Sequence, residues 1–273
     1  MNDPCHVITH QPGPQFDVQP SLILTYPLMS ARYRNPAVKP GWYRARQRSV
    51  TPAQKRAEMK LWPALGLTFS HFQPLDLDAA FGRNAPRVLE VGCGAGEALV
   101  PLAAARPDHD FVGCDWFRSG VACALTAVDE RRLANVRLVR SDVSRLLDVG
   151  LPSLPLFDEA LFFFPDPWRG SPERLVLRPE VIAALSRRMR PGGCLRLATD
   201  VAGYPEQASR NLLERGWREV PCERLEQQRP GHGRPSTRYE SAAIAAGRDV
   251  VDLCFVWDGG CEPGDGSVGR MHG

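Results

Sequence analysis

No apolar run in this chain approaches the roughly 18 residues that a helical membrane span needs, which argues against membrane insertion. The first residues lack a basic segment leading into an apolar stretch, so no secretory leader is expected. The eight cysteines (5, 93, 114, 123, 194, 222, 254 and 261) contain no Cys-x-x-Cys pair and no zinc-type spacing. Several fall in predicted strands, where a reduced cysteine acts as a small apolar filler; this predicts a cytoplasmic protein in a reducing compartment. His109, His232 and the other histidines have no partner spacing for a metal or a nucleophilic triad, so no metal is expected. Residues 1–31 have neither Lys nor Arg, are proline-rich and show no clear period.

What is present is a globular composition of 43% hydrophobic and 24% charged residues, enough for one large α/β domain with extensions in 273 residues. Net charge is only +3, but it is uneven: Arg32 to Lys60 holds nine Lys or Arg and one acid, Glu58. Phosphate-binding proteins localise charge in this way, and so do a solvated helix face and a basic linker. Tyr33, Trp42 and Tyr43 interleave with Arg32, Arg34, Lys39, Arg44, Arg46 and Arg48, which suits either an RNA-contacting arm or a loop lying on the domain. The domain reading is therefore a disordered or extended basic N-terminal segment over 1–47, an α/β domain over 48–257 and a glycine-rich flexible tail over 258–273.

Residues 88–96 read Val-Leu-Glu-Val-Gly-Cys-Gly-Ala-Gly and run into a predicted helix from Glu97 to about Ala105. Strand, glycine turn and helix open a nucleotide-type unit, where glycine permits a tight turn and close approach of backbone to ligand. The spacing is not the dinucleotide one, because Glu97 occupies the slot of the third glycine and a carboxylate there repels a pyrophosphate. S-adenosylmethionine, with an amino group, a carboxylate and a sulfonium, fits better.

From Arg87 onward, strands alternate with helices. Predicted strands are 88–91, 111–115, 136–140, 159–164, 194–199, 217–220 and 250–256. Helices are predicted near 97–105, 120–131, 144–147, 179–189 and 205–215. Before them, Thr51-Pro52 starts a helix that reaches about Trp62, followed by a turn over 63–70. Pro191-Gly192-Gly193 reads as a turn. A long loop containing Pro230, Gly231, Gly233 and Pro235 joins the last two strands. This pattern predicts a mostly parallel seven-stranded sheet with an antiparallel last strand and helices on both faces.

Ligands of open α/β sheets sit beyond the carboxyl ends of the strands. Glu90, Asp115, Asp142 and Asp166 lie at or beside four of those ends, and Asp200 follows the fifth strand. Such a cluster repels itself unless cations or hydrogen-bond donors meet it. Asp115, 19 residues beyond Gly96, suits either two ribose hydroxyls or a helix cap. Asp142, with the Val143 amide, suits either an adenine edge or the cap of the helix from Ser144. Glu90 lies under the glycine loop and can hold the loop or, through water, a methionine amino group. Asp166 is flanked by Pro165 and Pro167 beside Trp168, a stiff presentation of one carboxylate next to a stacking surface. Thr237, Arg238, Tyr239 and Glu240 group a hydroxyl, a cation, an aromatic and an acid, suited to gripping a nucleotide or to any polar loop.

Taken together, these segments resemble the bacterial tRNA (guanine-N7)-methyltransferase family, one of the Rossmann-like SAM-dependent methyltransferases. The resemblance spans about residues 48–257: Ser49–Gln54, Leu61-Trp62-Pro63, Leu89–Gly94, Gly113-Cys114-Asp115, Phe163–Trp168, Ala198-Thr199-Asp200, Arg234–Glu240 and Val251-Asp252-Leu253. It implies methyl transfer from S-adenosylmethionine to N7 of a guanine in the variable loop of tRNA; no metal is expected, no obligate protein partner is evident, and the chain is a monomer or homodimer. It implies cofactor contacts from Glu90, Gly92, Gly94, Asp115, Asp142 and Asp166. Asp166 is also the implied catalytic residue, and Asp200 with Thr237, Arg238, Tyr239 and Glu240 are the implied RNA or guanine contacts. The chain departs from the family where a basic run usually follows the tryptophan; here it reads Arg169-Gly170-Ser171-Pro172-Glu173-Arg174-Leu175. Arg-Gly after the Thr-to-Glu motif is replaced by Ser241-Ala242, and a later Gly-His by Gly247-Arg248. Those departures leave open a related enzyme acting on another RNA or a small molecule, or a non-catalytic RNA- or SAM-binding paralogue.

Overall fold

The structure, a computed structural model, describes residues 49–166, 175–228 and 233–259. The expectations for 1–47, for Pro167, Trp168 and the run 169–174, and for all but the start of 258–273 lie outside the described residues.

Thr51 caps α1 (Pro52–Leu65) with its side chain, and Gln54 answers back to the Thr51 amide, a capping box with proline at the first helical position. The helix continues past Trp62 because Pro63 falls in the last turn, and the Gly66 amide closes it on the Trp62 carbonyl. The predicted turn at 63–70 instead starts with a two-residue strand, β1 (Gly66–Leu67). There follow α2 (Leu77–Phe81), β2 (Arg87–Val91), α3 (Leu99–Ala105), β3 (Asp110–Asp115), α4 (Arg118–Glu130) and β4 (Val136–Arg140). Next come α5 (Val143–Arg145), a π-turn (Leu146–Gly150), β5 (Phe157–Phe163), α6 (Pro179–Ser186), β6 (Met189–Thr199) and α7 (Tyr204–Leu213). The described chain closes with β7 (Trp217–Val220), α8 (Cys222–Gln228), α9 (Arg238–Ala245) and β8 (Val251–Trp257).

All seven expected strands are present, and β1 adds an eighth at the edge; the order is β1-β4-β3-β2-β5-β6-β8-β7. The strands from β1 to β6 pair in parallel, and β8 runs antiparallel to both β6 and β7. Pro191-Gly192-Gly193 is not a turn between elements. It is a bulge inside β6, where Met189 pairs with Phe157 and Cys194 already pairs with Glu159. The expected long loop before β8 contains α8 and α9. Both are short, and the glycines and prolines between them mask their period.

Two apolar layers cover the sheet, and strand alternation assigns each residue to one of them. Val88, Phe111, Leu138, Leu161 and Phe163 join the layer beneath α1, α3 and α4. Leu89, Val112, Val139, Ala160 and Phe162 join the opposite layer with α6 and α7. An ion pair between Arg106 and Glu159 (2.7 Å) is buried within this fold. The reduced-cysteine expectation fails at one pair: Cys222 of α8 and Cys254 of β8 form a disulfide, whereas Cys93, Cys114, Cys123 and Cys194 stay as thiols. Their 32-residue separation hides this juxtaposition, since α8 folds back onto the β8 surface.

Candidate active site

Chain direction across the sheet reverses between β2 and β5, because β2, β3 and β4 step one way and β5 and β6 the other. Such a switch point leaves a crevice at the carboxyl ends of the strands. The glycine loop occupies it. Gly92, Gly94 and Gly96 have φ of 78°, 52° and 83°, in the left-handed region that excludes most side chains. Around Gly92 no atom lies within 4 Å of where a Cβ would be, so the loop backbone faces open space. Gly120 of α4 also serves this loop: a Cβ there would meet the Gly94 backbone at 3.1 Å.

Asp115 ties the loop to the next strand. Its Oδ2 accepts from the Gly94 amide at 2.8 Å and its Oδ1 from the Phe117 amide at 2.6 Å. Burial nevertheless raises its pKa above the ordinary value, and nearby Asp166 adds to that. Glu90 is 3% exposed under the loop, and its Oε2 has no hydrogen-bond partner. Burial first, and then the Asp115 carboxylate, push its pKa up to about 8. Asp142 caps α5, accepting from the Ser144 and Arg145 amides; both bonds fall on Oδ1. An enclosed acid without a partner, a glycine backbone facing open space and acids on successive strand ends fit a ligand carrying an ammonium group and an adenosine. Among the described residues, no group of three or more His, Cys, Asp or Glu has metal-binding geometry.

The second half of the site surrounds the end of β5. Phe164 adopts φ 50°, turning the chain out of the strand towards Asp166. Its ring stacks with Tyr239 at 6.4 Å between centroids, and the Arg234 guanidinium lies 5.5 Å above it. Arg234 donates to Glu240 (2.7 Å) and to both oxygens of Asp252 (2.8 and 3.0 Å). Thr237 is buried and caps α9 by accepting from the Glu240 amide. Arg248 binds Asp200 at 2.7 Å. The departure Gly247-Arg248 thus supplies the partner of a predicted site acid. Asp200 and Glu240 are therefore engaged by arginines, while Asp166, exposed at the rim, has no hydrogen-bond or ion-pair partner among the described residues. Partial burial of its carboxyl still raises its pKa.

Every predicted site residue thus falls at the carboxyl ends of the strands or on the turn and helix start that face them. Sequence reasoning missed Arg234, Asp252, Arg248 and Gly120 as parts of the site. The spacing of Thr237 and Glu240, three residues apart, is a legible capping signal for α9.

Strand order, switch-point loop and acidic strand ends define a Rossmann-like SAM-dependent methyltransferase fold. A family model described as "Putative methyltransferase" matches residues 84–253. The tRNA (guanine-N(7)-)-methyltransferase of Alkalilimnicola ehrlichii is 39% identical over 213 residues, covering 77% of this chain and 89% of that relative. The protein of the same name from Leifsonia xyli subsp. xyli is 40% identical over 222 residues, covering 80% and 96%. That from Halorhodospira halophila is 37% identical over 212 residues, covering 77% and 91%. The chain belongs to the tRNA (guanine-N7)-methyltransferase family.

Proposed function

We propose that this chain transfers the methyl group of S-adenosylmethionine to N7 of a guanine in tRNA. The observation that carries this reading is the adjacency of two halves at one switch point: the loop of Glu90 and Asp115 on β2 and β3, and, at the end of the neighbouring β5, Asp166 two residues beyond the Phe164 ring that stacks on Tyr239.

In the cofactor half, Glu90 receives the methionine ammonium and the amides of the Gly92–Gly94 loop line the crevice. The Asp115 carboxylate accepts from the Gly94 and Phe117 amides, and the acceptor capacity these bonds leave unused is offered to a ribose hydroxyl. Asp142 Oδ2 and the Val143 amide face the adenine edge. When bound, the cofactor supplies an electrophilic methyl group on a sulfonium. N7 of guanine carries a free lone pair, so no side chain has to remove a proton to create the nucleophile. The chain therefore contributes alignment and charge. Asp166 accepts from the guanine N–H groups and offsets the positive charge that develops on the purine. Asp200 and Glu240 act through the arginines that hold them, shaping the acceptor wall. The exposed Lys55, Arg56 and Lys60 of α1 grip the phosphate backbone.

The test incubates the protein with labelled S-adenosylmethionine and unmodified bulk tRNA and maps the methylated base. N7-methylguanine is expected. Asp166→Ala is expected to keep most cofactor affinity and to lose turnover by about a hundredfold or more, the scale of removing one transition-state contact. Unchanged turnover in that variant would refute the role of Asp166.

A further inference from the structure

Glu97 follows the last glycine of the loop, but its carboxylate does not cap its own helix: α3 starts at Leu99 without a side-chain cap. It reaches across 141 residues of sequence to the start of α9 instead. Glu97 Oε2 accepts from the Arg238 backbone amide at 2.8 Å, and Oε1 pairs with Arg238 Nε at 3.1 Å. Arg238 is the first residue of α9, and its amide is one of the donors a helix start leaves without an internal partner. A carboxylate there is favoured by the helix dipole as well as by the two bonds. Beyond this contact the chain of interactions continues. The Arg238 guanidinium reaches the Tyr239 hydroxyl at 3.1 Å, Tyr239 stacks on Phe164, and Phe164 leads to Asp166. At the other end, Gly96 at φ 83° closes the loop by donating its amide to the Cys93 carbonyl at 2.8 Å, and Glu97 follows it directly.

We infer that Glu97 is a positioning residue that couples the two halves of the site: a ligand settling on the glycine loop sets α9, and with it Thr237, Tyr239 and Glu240 on the acceptor side. This deepens the proposed function and rests on it for the identity of the acceptor. Coupling between sites is reciprocal, so tRNA and the cofactor must tighten each other's binding by the same factor, about fivefold to tenfold at the lower end of usual coupling energies. The carboxylate that excludes a pyrophosphate from the loop thus has a second use as the handle on the acceptor helix.

The experiment compares the full chain with Glu97→Ala and Arg238→Ala, with S-adenosylhomocysteine as the probe. Hydrogen exchange of the α9 amides is followed with and without the probe, and affinity for unmodified tRNA is measured in both states. In the native protein, S-adenosylhomocysteine is expected to slow exchange over Arg238–Ala245 and to tighten tRNA binding about fivefold to tenfold. Both variants are expected to keep S-adenosylhomocysteine affinity within about threefold and to show a raised KM for tRNA with a smaller change in kcat; Glu97→Ala removes both bonds and is expected to lose both effects, whereas Arg238→Ala keeps the backbone amide bond and is expected to lose only part of them. A variant that only weakened the fold would lower its melting temperature without abolishing the exchange response. Probe-induced protection of α9 that survives in Glu97→Ala overturns the inference, as does a native protein whose α9 ignores the probe, or a Glu97→Ala variant that no longer binds the probe. If the native protein methylates no tRNA while α9 still responds through Glu97, the coupling stands and the proposed acceptor falls.

Discussion

Replacing Glu90 by glutamine keeps the shape of the residue beneath the glycine loop and removes its proton chemistry. Glu90 is 3% exposed, and burial with the Asp115 charge raises its pKa from 4.5 to about 8. At pH 7 a group of pKa about 8 holds its proton in roughly nine-tenths of the molecules. A ligand ammonium beside it favours the charged form, so binding of S-adenosylmethionine expels that proton. Calorimetric titration at pH 7 in two buffers of different ionisation enthalpy counts the protons released. The native protein is expected to release close to one proton more per ligand than Glu90→Gln, and the difference cancels the ligand's own titration. Stability carries the same signature. The folded state holds the Glu90 proton to higher pH than the unfolded chain does, so native stability falls as pH rises from about 4.5 to about 8 and the loss is complete above that window. That interval is worth at most roughly 5 kcal/mol, since one pKa unit is about 1.4 kcal/mol. Denaturant midpoints at pH 5 and pH 9 should therefore show Glu90→Gln gaining on the native protein at the higher pH. Equal proton release by the two proteins, or a stability gap that moves the other way, would refute the reasoning.

Two further outcomes follow from other parts of the molecule. Reversing the charge of Lys55, Arg56 and Lys60, all exposed on α1, should weaken tRNA binding and flatten its dependence on salt. The log–log slope should fall by up to roughly 0.9 for each phosphate that is no longer neutralised; an unchanged slope assigns the grip to another surface. Glu159→Gln removes the charge opposite the buried Arg106 guanidinium, and breaking a buried pair from one side typically costs about 3–5 kcal/mol. A drop in melting temperature of about 6–20 °C is therefore expected by thermal denaturation. A drop of under about 2 °C would mean that other contacts hold Arg106.

Much of the parallel sheet is legible in the sequence because its strands are buried on both faces and read as short apolar runs ending in glycine or an acid. The strands expected over 136–140 and 217–220 are found with those bounds, and most other boundaries differ by one to three residues. What escapes is held by distant contacts. β1 is two residues long and exists only by pairing with β4. The bulge in β6 looks like a turn because glycines and a proline serve both. α8 and α9 are too short to announce themselves by period, and α9 is held at its start by Thr237 and Glu97.

The site divides in the same way. The amino-acid sequence by itself determined the glycine loop, the acids at the strand ends and the Phe-Pro-Asp-Pro-Trp segment, because each is written in consecutive residues whose backbone chemistry is local. Only the tertiary structure decided which acids are engaged. Arg248 takes Asp200, Arg234 takes Glu240 and Asp252, and backbone amides take Asp115 and Asp142. Glu90 Oε2, buried under the loop, is left without a hydrogen-bond partner, and Asp166 has none among the described residues. The reach of Glu97 to Arg238 was likewise undetermined by spacing. Charge pairs across 48 or 141 residues depend on where the strands end in space, and that is set by packing of the whole sheet.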